Sequence, residues 1–235
     1  DAVTPSPPTM VYPRLLRDVT AGHTRLNLAG AAFEHPVMLA PVAFQKLAHR
    51  MGEIDTARAA HATGTCMVVS TLSSTALEDV AGPRRWFQLY FQHRRDDTLS
   101  LVARTEAAGY QAIVVTLDAS IQTASARAMR AGFRMPAQCV AANLRDQRSP
   151  AVIELGERDS RIFQGAMRDA PAWADLAWLM TQTALPVWIK GVLHPDDAIA
   201  LRSAGVAGIV VSNHGGRSLD GALASLDALP AIRAA

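Results

Sequence analysis

The 235-residue sequence predicts an α/β protein: a (β/α)8 TIM-type barrel, with six of the eight strand–helix units present. Three observations lead there. Short apolar runs alternate with helical patterns along the chain, as parallel βα units require. Glycine follows several helical stretches just before the next apolar run, at Gly64, Gly109 and Gly205, the usual way of closing a helix. Gln88, Tyr90, Thr116, Asp118, Lys190 and His214 fall at or near the C-terminal ends of four different strands. An open doubly wound sheet gathers its site at one crevice, whereas a closed barrel brings every strand end round one mouth.

Strands are expected over residues 37–43, 66–71, 86–91, 112–118, 187–192 and 208–213. Each is a short run of apolar or β-branched residues, the pattern of a strand buried on both faces. Between them, 52–63, 96–108, 173–182 and 195–204 read as helices, with a further helix over 226–235. Residues 133–172 carry few periodic signals, and an unpatterned stretch of that length is usually functional.

Composition narrows the class. The chain is 49% hydrophobic with a formal charge of +2, which argues against a nucleic-acid surface. Arg84-Arg85 and Arg94-Arg95 read as solvated surface. Cys66 and Cys139 form neither a Cys-x-x-Cys pair nor a disulfide framework, which suits a reducing cytoplasm. No apolar stretch reaches the roughly 18 residues of a membrane span. The first residues lack a basic-then-apolar leader pattern. The seven histidines are dispersed and His-Glu-x-x-His does not occur, so no metal site is expected.

The most informative stretch is Ser212-Asn213-His214-Gly215-Gly216-Arg217-Ser218-Leu219-Asp220-Gly221, directly after the apolar run 207–211. It places an imidazole, two glycines and a guanidinium where a strand becomes a loop. His214 offers a base near neutral pH, Arg217 a fork for a carboxylate, and the glycines let backbone approach a flat ligand. Asp118 reads either as the carboxylate that orients His214 or as an N-cap of the following helix. Tyr90 reads either as a substrate contact or as a core aromatic with a satisfied hydroxyl. Lys190 ends a buried strand, a costly position unless the charge is paired. The chain lacks Gly-x-Gly-x-x-Gly, so a Rossmann nicotinamide site is not expected.

These residues resemble the FMN-dependent 2-hydroxy-acid oxidase and dehydrogenase family, which includes glycolate, lactate and mandelate oxidases. The likeness covers essentially the whole chain. It runs in the family's order through 39–43 (LAPVA), 70–74 (STLSS), 86–90 (WFQLY), 115–118 (VTLD), 189–192 (IKGV) and the His214 motif. Residues 39–45 and 86–90 resemble bacterial mandelate and hydroxymandelate oxidases in particular. Another FMN barrel, such as a type 2 isopentenyl diphosphate isomerase, is a rival that the His-Gly-Gly-Arg run opposes.

The resemblance implies oxidation of a 2-hydroxy acid to a 2-oxo acid with FMN as cofactor. His214, Asp118, Tyr90 and Arg217 are the implied catalytic residues, and Tyr90, His214 and Arg217 the substrate contacts. In this reading His214 takes the hydroxyl proton while hydride passes to the flavin. Pro41, Val42 and Ala43 would line the flavin face, Ser73, Gln88 and Thr116 would hydrogen-bond its ring, and Lys190 would stand by the N1 and O2 edge. The resemblance also implies a homo-oligomer, a tetramer in the family, with a small-molecule acid as partner. Residues 1–235 are expected to be a single domain incomplete at both ends: the family adds two strands that hold the FMN phosphate, and an N-terminal helical segment. A six-stranded piece would leave two open sheet edges. One departure stands out. Ser125 occupies the position of a family arginine that binds the substrate carboxylate, which raises a non-catalytic flavin-binding relative as the alternative. Thr75 stands where plant glycolate oxidases carry tryptophan.

Overall fold

A computed structural model describes residues 13–119, 126–147 and 154–235. Six strands form one parallel sheet in sequence order: β3 (Met38–Leu39), β4 (Cys66–Ser70), β5 (Arg85–Leu89), β6 (Ile113–Thr116), β7 (Val187–Val192) and β8 (Gly208–Val211). Neighbouring strands are thus consecutive throughout, the order of a barrel wall. The helices that pack on them are α1 (Glu53–Ala62), α2 (Arg95–Ala107), α4 (Trp173–Thr181), α5 (Pro195–Ser203) and α6 (Ser225–Ala234), with a short α3 (Ala126–Arg130) after β6.

Alternation along each strand sorts the side chains onto two faces. Met67, Val69, Phe87, Leu89, Ile113, Val115, Val187 and Ile189 meet the helices through Ala57, Leu101, Leu176, Leu179, Ala198 and Ile232. Cys66, Val68, Trp86 and Val114 form the second cluster, on the opposite face, with Trp188 and Val210 packed against it. Trp86 and Trp188 lie with ring centroids 5.0 Å apart.

A hairpin that the sequence pattern does not announce adds to this second cluster. β1 (Leu26–Leu28) and β2 (Ala31–Phe33) pair antiparallel, and Leu26, Leu28, Ala31 and Phe33 pack on the first residues of the main strands. Its turn is Ala29-Gly30, with φ of 51° and 76°. Two-residue turns of this hand usually carry Asn-Gly or Asp-Gly, so alanine hides the turn.

The first main strand is shorter than its expected span of 37–43. Pairing with β4 covers Met38 and Leu39 only. Pro41 has no N–H to give a ladder, and Phe44 turns left-handed (φ 51°, ψ 47°). The other expected strands differ by at most two residues at either end, and β7 agrees at both. In the unpatterned 133–172 stretch the described residues form short turns at Ala142–Leu144 and Arg161–Ala166.

Candidate active site

Counting two residues onward from the second cluster identifies the site. Val68, Trp86, Val114, Trp188 and Val210 are followed on the same face by Ser70, Gln88, Thr116, Lys190 and Ser212. The ladder brings them alongside one another: Ser70 pairs with Gln88, and Thr116 with Lys190. An apolar layer thus gives way to a polar one at the C-terminal ends of the strands.

Asp118 and His214 stand one step further out. The Nδ1 of His214 lies 2.8 Å from Asp118 Oδ1, and both side chains are largely buried. A carboxylate at Nδ1 holds the proton there and leaves Nε2 as the basic atom. This geometry is the one expected of a carboxylate that orients His214. His214 itself adopts φ of 57°, uncommon for a residue with a side chain. Its backbone N–H donates to Ser212 Oγ at 3.0 Å.

The same Ser212 hydroxyl accepts from Lys190 Nζ at 2.9 Å, so one oxygen links the lysine to the histidine loop. Lys190 Nζ is also 3.8 Å from Asp118 Oδ2. Burial pulls the Lys190 ammonium below its ordinary pKa, and the charge of Asp118 opposes that shift. Ser212 belongs to the motif read from the sequence, yet its bridging role depends on a lysine 22 residues away.

Gly191 gives Asp118 its place. A Cβ on Gly191 would fall 2.5 Å from Asp118 Cβ and 2.6 Å from Cγ, and the backbone has φ of +108°. Only glycine combines that conformation with that closeness.

Gln88 Nε2 and Thr116 Oγ1 are buried without a hydrogen-bond partner among the described residues. Such atoms are rare and costly in a finished structure, so this layer calls for a polar ligand. Gln88 Oε1 is already used, accepting from Ser70 Oγ and Thr71 N at 3.2 Å each. Tyr90 continues the strand beside them, half-buried, its N–H donating to Thr71 Oγ1 at 3.1 Å.

The hydroxyl of Ser73, expected at the ring, is a correction. It donates to Thr75 O at 2.5 Å and accepts from Asn143 Nδ2 at 3.0 Å, in a fully buried side chain. Ser70, three residues earlier, is the serine in the polar layer. Thr75, expected to bear on pocket size, donates to Glu53 Oε2 at 2.9 Å and is buried. Pro41 and Ala43 are half-buried and Val42 is 55% exposed, in the loop after β3. Arg217 is exposed. Ser125 lies outside the described residues, and Arg127, two positions on, is exposed.

Comparison with known proteins gives a consistent picture. The sequence model of the family described as FMN-dependent dehydrogenase matches residues 9–235. An L-lactate oxidase of Alicycliphilus denitrificans is 65% identical over 96% of this chain and 62% of its own length. A 4-hydroxymandelate oxidase of Amycolatopsis orientalis is 41% identical over 96% and 64%. A mandelate oxidase variant solved with (S)-mandelic acid superposes with a TM-score of 0.82 at 40% identity, over 96% of this chain and 62% of that one. A related structure at 39% identity and TM-score 0.82, over 95% and 62%, carries a C4a-OH-FMN adduct. The chain therefore spans about three-fifths of the length of the relatives it matches.

Proposed function

Because the chain belongs to the FMN-dependent dehydrogenase family, we propose that it carries the active-site face of an enzyme that oxidises a 2-hydroxy acid to a 2-oxo acid. The observation that carries this reading is the His214–Asp118 pair standing beside two unpartnered polar atoms of Gln88 and Thr116. FMN is the cofactor of the family, and it supplies the two-electron acceptor that no side chain can provide. The residues present fit it. Gln88 Nε2 and Thr116 Oγ1 would meet the polar edge of the ring, together with Ser70. Lys190 would give positive charge to that edge, and the backbone of Pro41, Val42 and Ala43 would line its face.

His214 Nε2 takes the proton from the substrate hydroxyl. Asp118 stabilises the imidazolium that results and keeps the ring turned toward the substrate. General-base catalysis of this kind contributes about 10²–10⁴-fold. Arg217 pairs with the substrate carboxylate, and Tyr90 hydrogen-bonds the substrate beside it. Loss of the hydroxyl proton to His214, and of the C–H hydrogen with its two electrons to the acceptor that FMN would supply, converts the alcohol carbon to a carbonyl.

The 65% identity to an L-lactate oxidase favours lactate over mandelate as the first substrate to test. The continuous six-stranded sheet supports reading the described residues as parts of a single domain. Both cysteines are free and buried, with burial pushing the Cys66 thiol up to about 12, which accords with a cytoplasmic protein. Among the described residues no helix is long and apolar enough to cross a membrane. A homotetramer follows from the family resemblance. Ser125 and the exposed Arg217 favour a second reading, a relative that holds FMN without turnover. Measuring 2-oxo acid formed from lactate, mandelate and glycolate in the presence of FMN and oxygen separates the two: product supports the enzyme, and none from any acid supports the binding protein.

A further inference from the structure

Glu53 is the first residue of α1 and is fully buried. Its carboxylate meets only neutral donors in its hydrogen bonds. Oε1 accepts from Gln45 N at 3.2 Å, Ser74 N at 2.7 Å and Ser74 Oγ at 3.1 Å, and Oε2 accepts from Thr75 Oγ1 at 2.9 Å. Gln45 follows β3 and Ser74 follows β4, so one side chain joins the loops leaving two neighbouring strands. A buried carboxylate is costly unless its oxygens are filled in this way.

We propose that Glu53 is a positioning residue for the flavin-facing loops: it ties residues 41–46 to residues 70–75 and so sets where the backbone of Pro41–Ala43 and the hydroxyl of Ser70 stand. The proposal rests on the flavin-site reading above. The two loops are joined directly as well, by Phe44 N to Leu72 O and Lys46 N to Ser74 Oγ, both 3.0 Å. Gly52 brings Glu53 close beneath them, since a Cβ there would meet Lys46 N and Cγ at 3.0 Å. Asn143 grips the second loop from its other side, with Nδ2 donating to the carbonyls of Ser70 and Thr71 at 3.2 Å each. Ser70–Thr75 is therefore held between two buried polar side chains, one on α1 and one on the segment after β6.

The pattern of acceptors predicts which substitutions are tolerated. In Glu53→Gln the amide oxygen can keep the three donors on Oε1. The amide NH₂ can then donate to Thr75 Oγ1, whose hydroxyl turns to accept. In Glu53→Ala the donors of Gln45, Ser74 and Thr75 lose their acceptor.

The test measures FMN affinity by flavin fluorescence and amide hydrogen exchange without FMN, in a chain that includes the two strands expected to hold the FMN phosphate, as wild type, Glu53→Ala, Glu53→Gln and Leu179→Ala. The last is a core variant in α4, far from these loops in sequence, and reports the effect of lost stability alone. Glu53→Ala should bind FMN at least about 10-fold more weakly and exchange faster at Gln45, Lys46 and Ser74. Glu53→Gln should stay within about threefold of wild type, and Leu179→Ala should keep its affinity. Wild-type exchange in Glu53→Ala overturns the proposal, as does an affinity loss in Leu179→Ala or in Glu53→Gln equal to that of Glu53→Ala. Absence of FMN binding by wild type overturns the flavin reading instead, and the exchange data then judge the loop tie by themselves.

Discussion

His214 Nδ1 lies 2.8 Å from Asp118 Oδ1, although 96 residues separate the two in the chain. The contact joins the ends of β6 and β8 across the intervening β7, and Lys190 of β7 sits beneath it through Ser212 and Asp118. Asparagine at 118 keeps an oxygen for the Nδ1 proton but removes the charge that stabilises an imidazolium. Asp118→Asn should therefore retain FMN and lose about 10²–10⁴-fold in turnover, measured as 2-oxo acid formed per bound flavin. Asn caps helices about as well as Asp, so an unchanged rate would return Asp118 to a capping role.

Gly191→Ala tests the space beneath Asp118. A methyl group there would stand 2.5 Å from Asp118 Cβ at a φ of +108°. Strain of this kind costs on the order of 1–3 kcal/mol. The variant should unfold at lower denaturant and also lose turnover, because Asp118 must move away from His214. Loss of stability with full turnover would show that the carboxylate tolerates displacement.

Lys190 predicts a stability change in alkali. Burial lowers its folded pKa below the ordinary 10.5, so between those two values the unfolded chain binds more protons than the folded one. Stability should then rise with pH through that window, and the penalty for burying the charged form should be fully present below it. Lys190→Met removes the group and should flatten this rise. Denaturant unfolding of the FMN-free protein across that range is the measurement, and equal pH slopes in both proteins would contradict the assignment.

Ser125→Arg tests how the substrate carboxylate is held. If Arg217 acts without a second guanidinium, restoring one should tighten binding of a 2-oxo acid by about 1.5–3 kcal/mol, roughly 10- to 150-fold. The methyl ester, lacking the charge, should gain nothing. Flavin absorbance titrated with both ligands provides the comparison. Equal affinity of wild type and variant for the acid would mean that residue 125 does not serve the carboxylate, or that Arg127 already does; the double comparison with Arg127→Ala separates these.

Local pattern carried most of the fold. Val187–Val192 reads as a strand from composition and is one, and the polar residues at strand ends do share one face. What local pattern could not supply is pairing over distance. Ser70 and Ser73 look alike in a run of hydroxyl residues. Only the register with Gln88 and the contact with Asn143, 70 residues on, show which one faces the layer. Glu53 reads as an ordinary first-turn acid, and Ser212 as part of a motif, until their partners are placed. The hairpin at 26–33 escaped because Ala29 stands in a turn that usually advertises itself with asparagine or aspartate.

His214 is proposed as the base in oxidation of a 2-hydroxy acid. Anaerobic stopped-flow mixing of the FMN-loaded protein with lactate, mandelate and glycolate tests it most directly. At least one acid should bleach the wild-type flavin. His214→Ala, with FMN still bound, should bleach at least about 10²-fold more slowly. Bound flavin that no acid bleaches, or a His214→Ala rate within about threefold of wild type, against that expected loss, would contradict it.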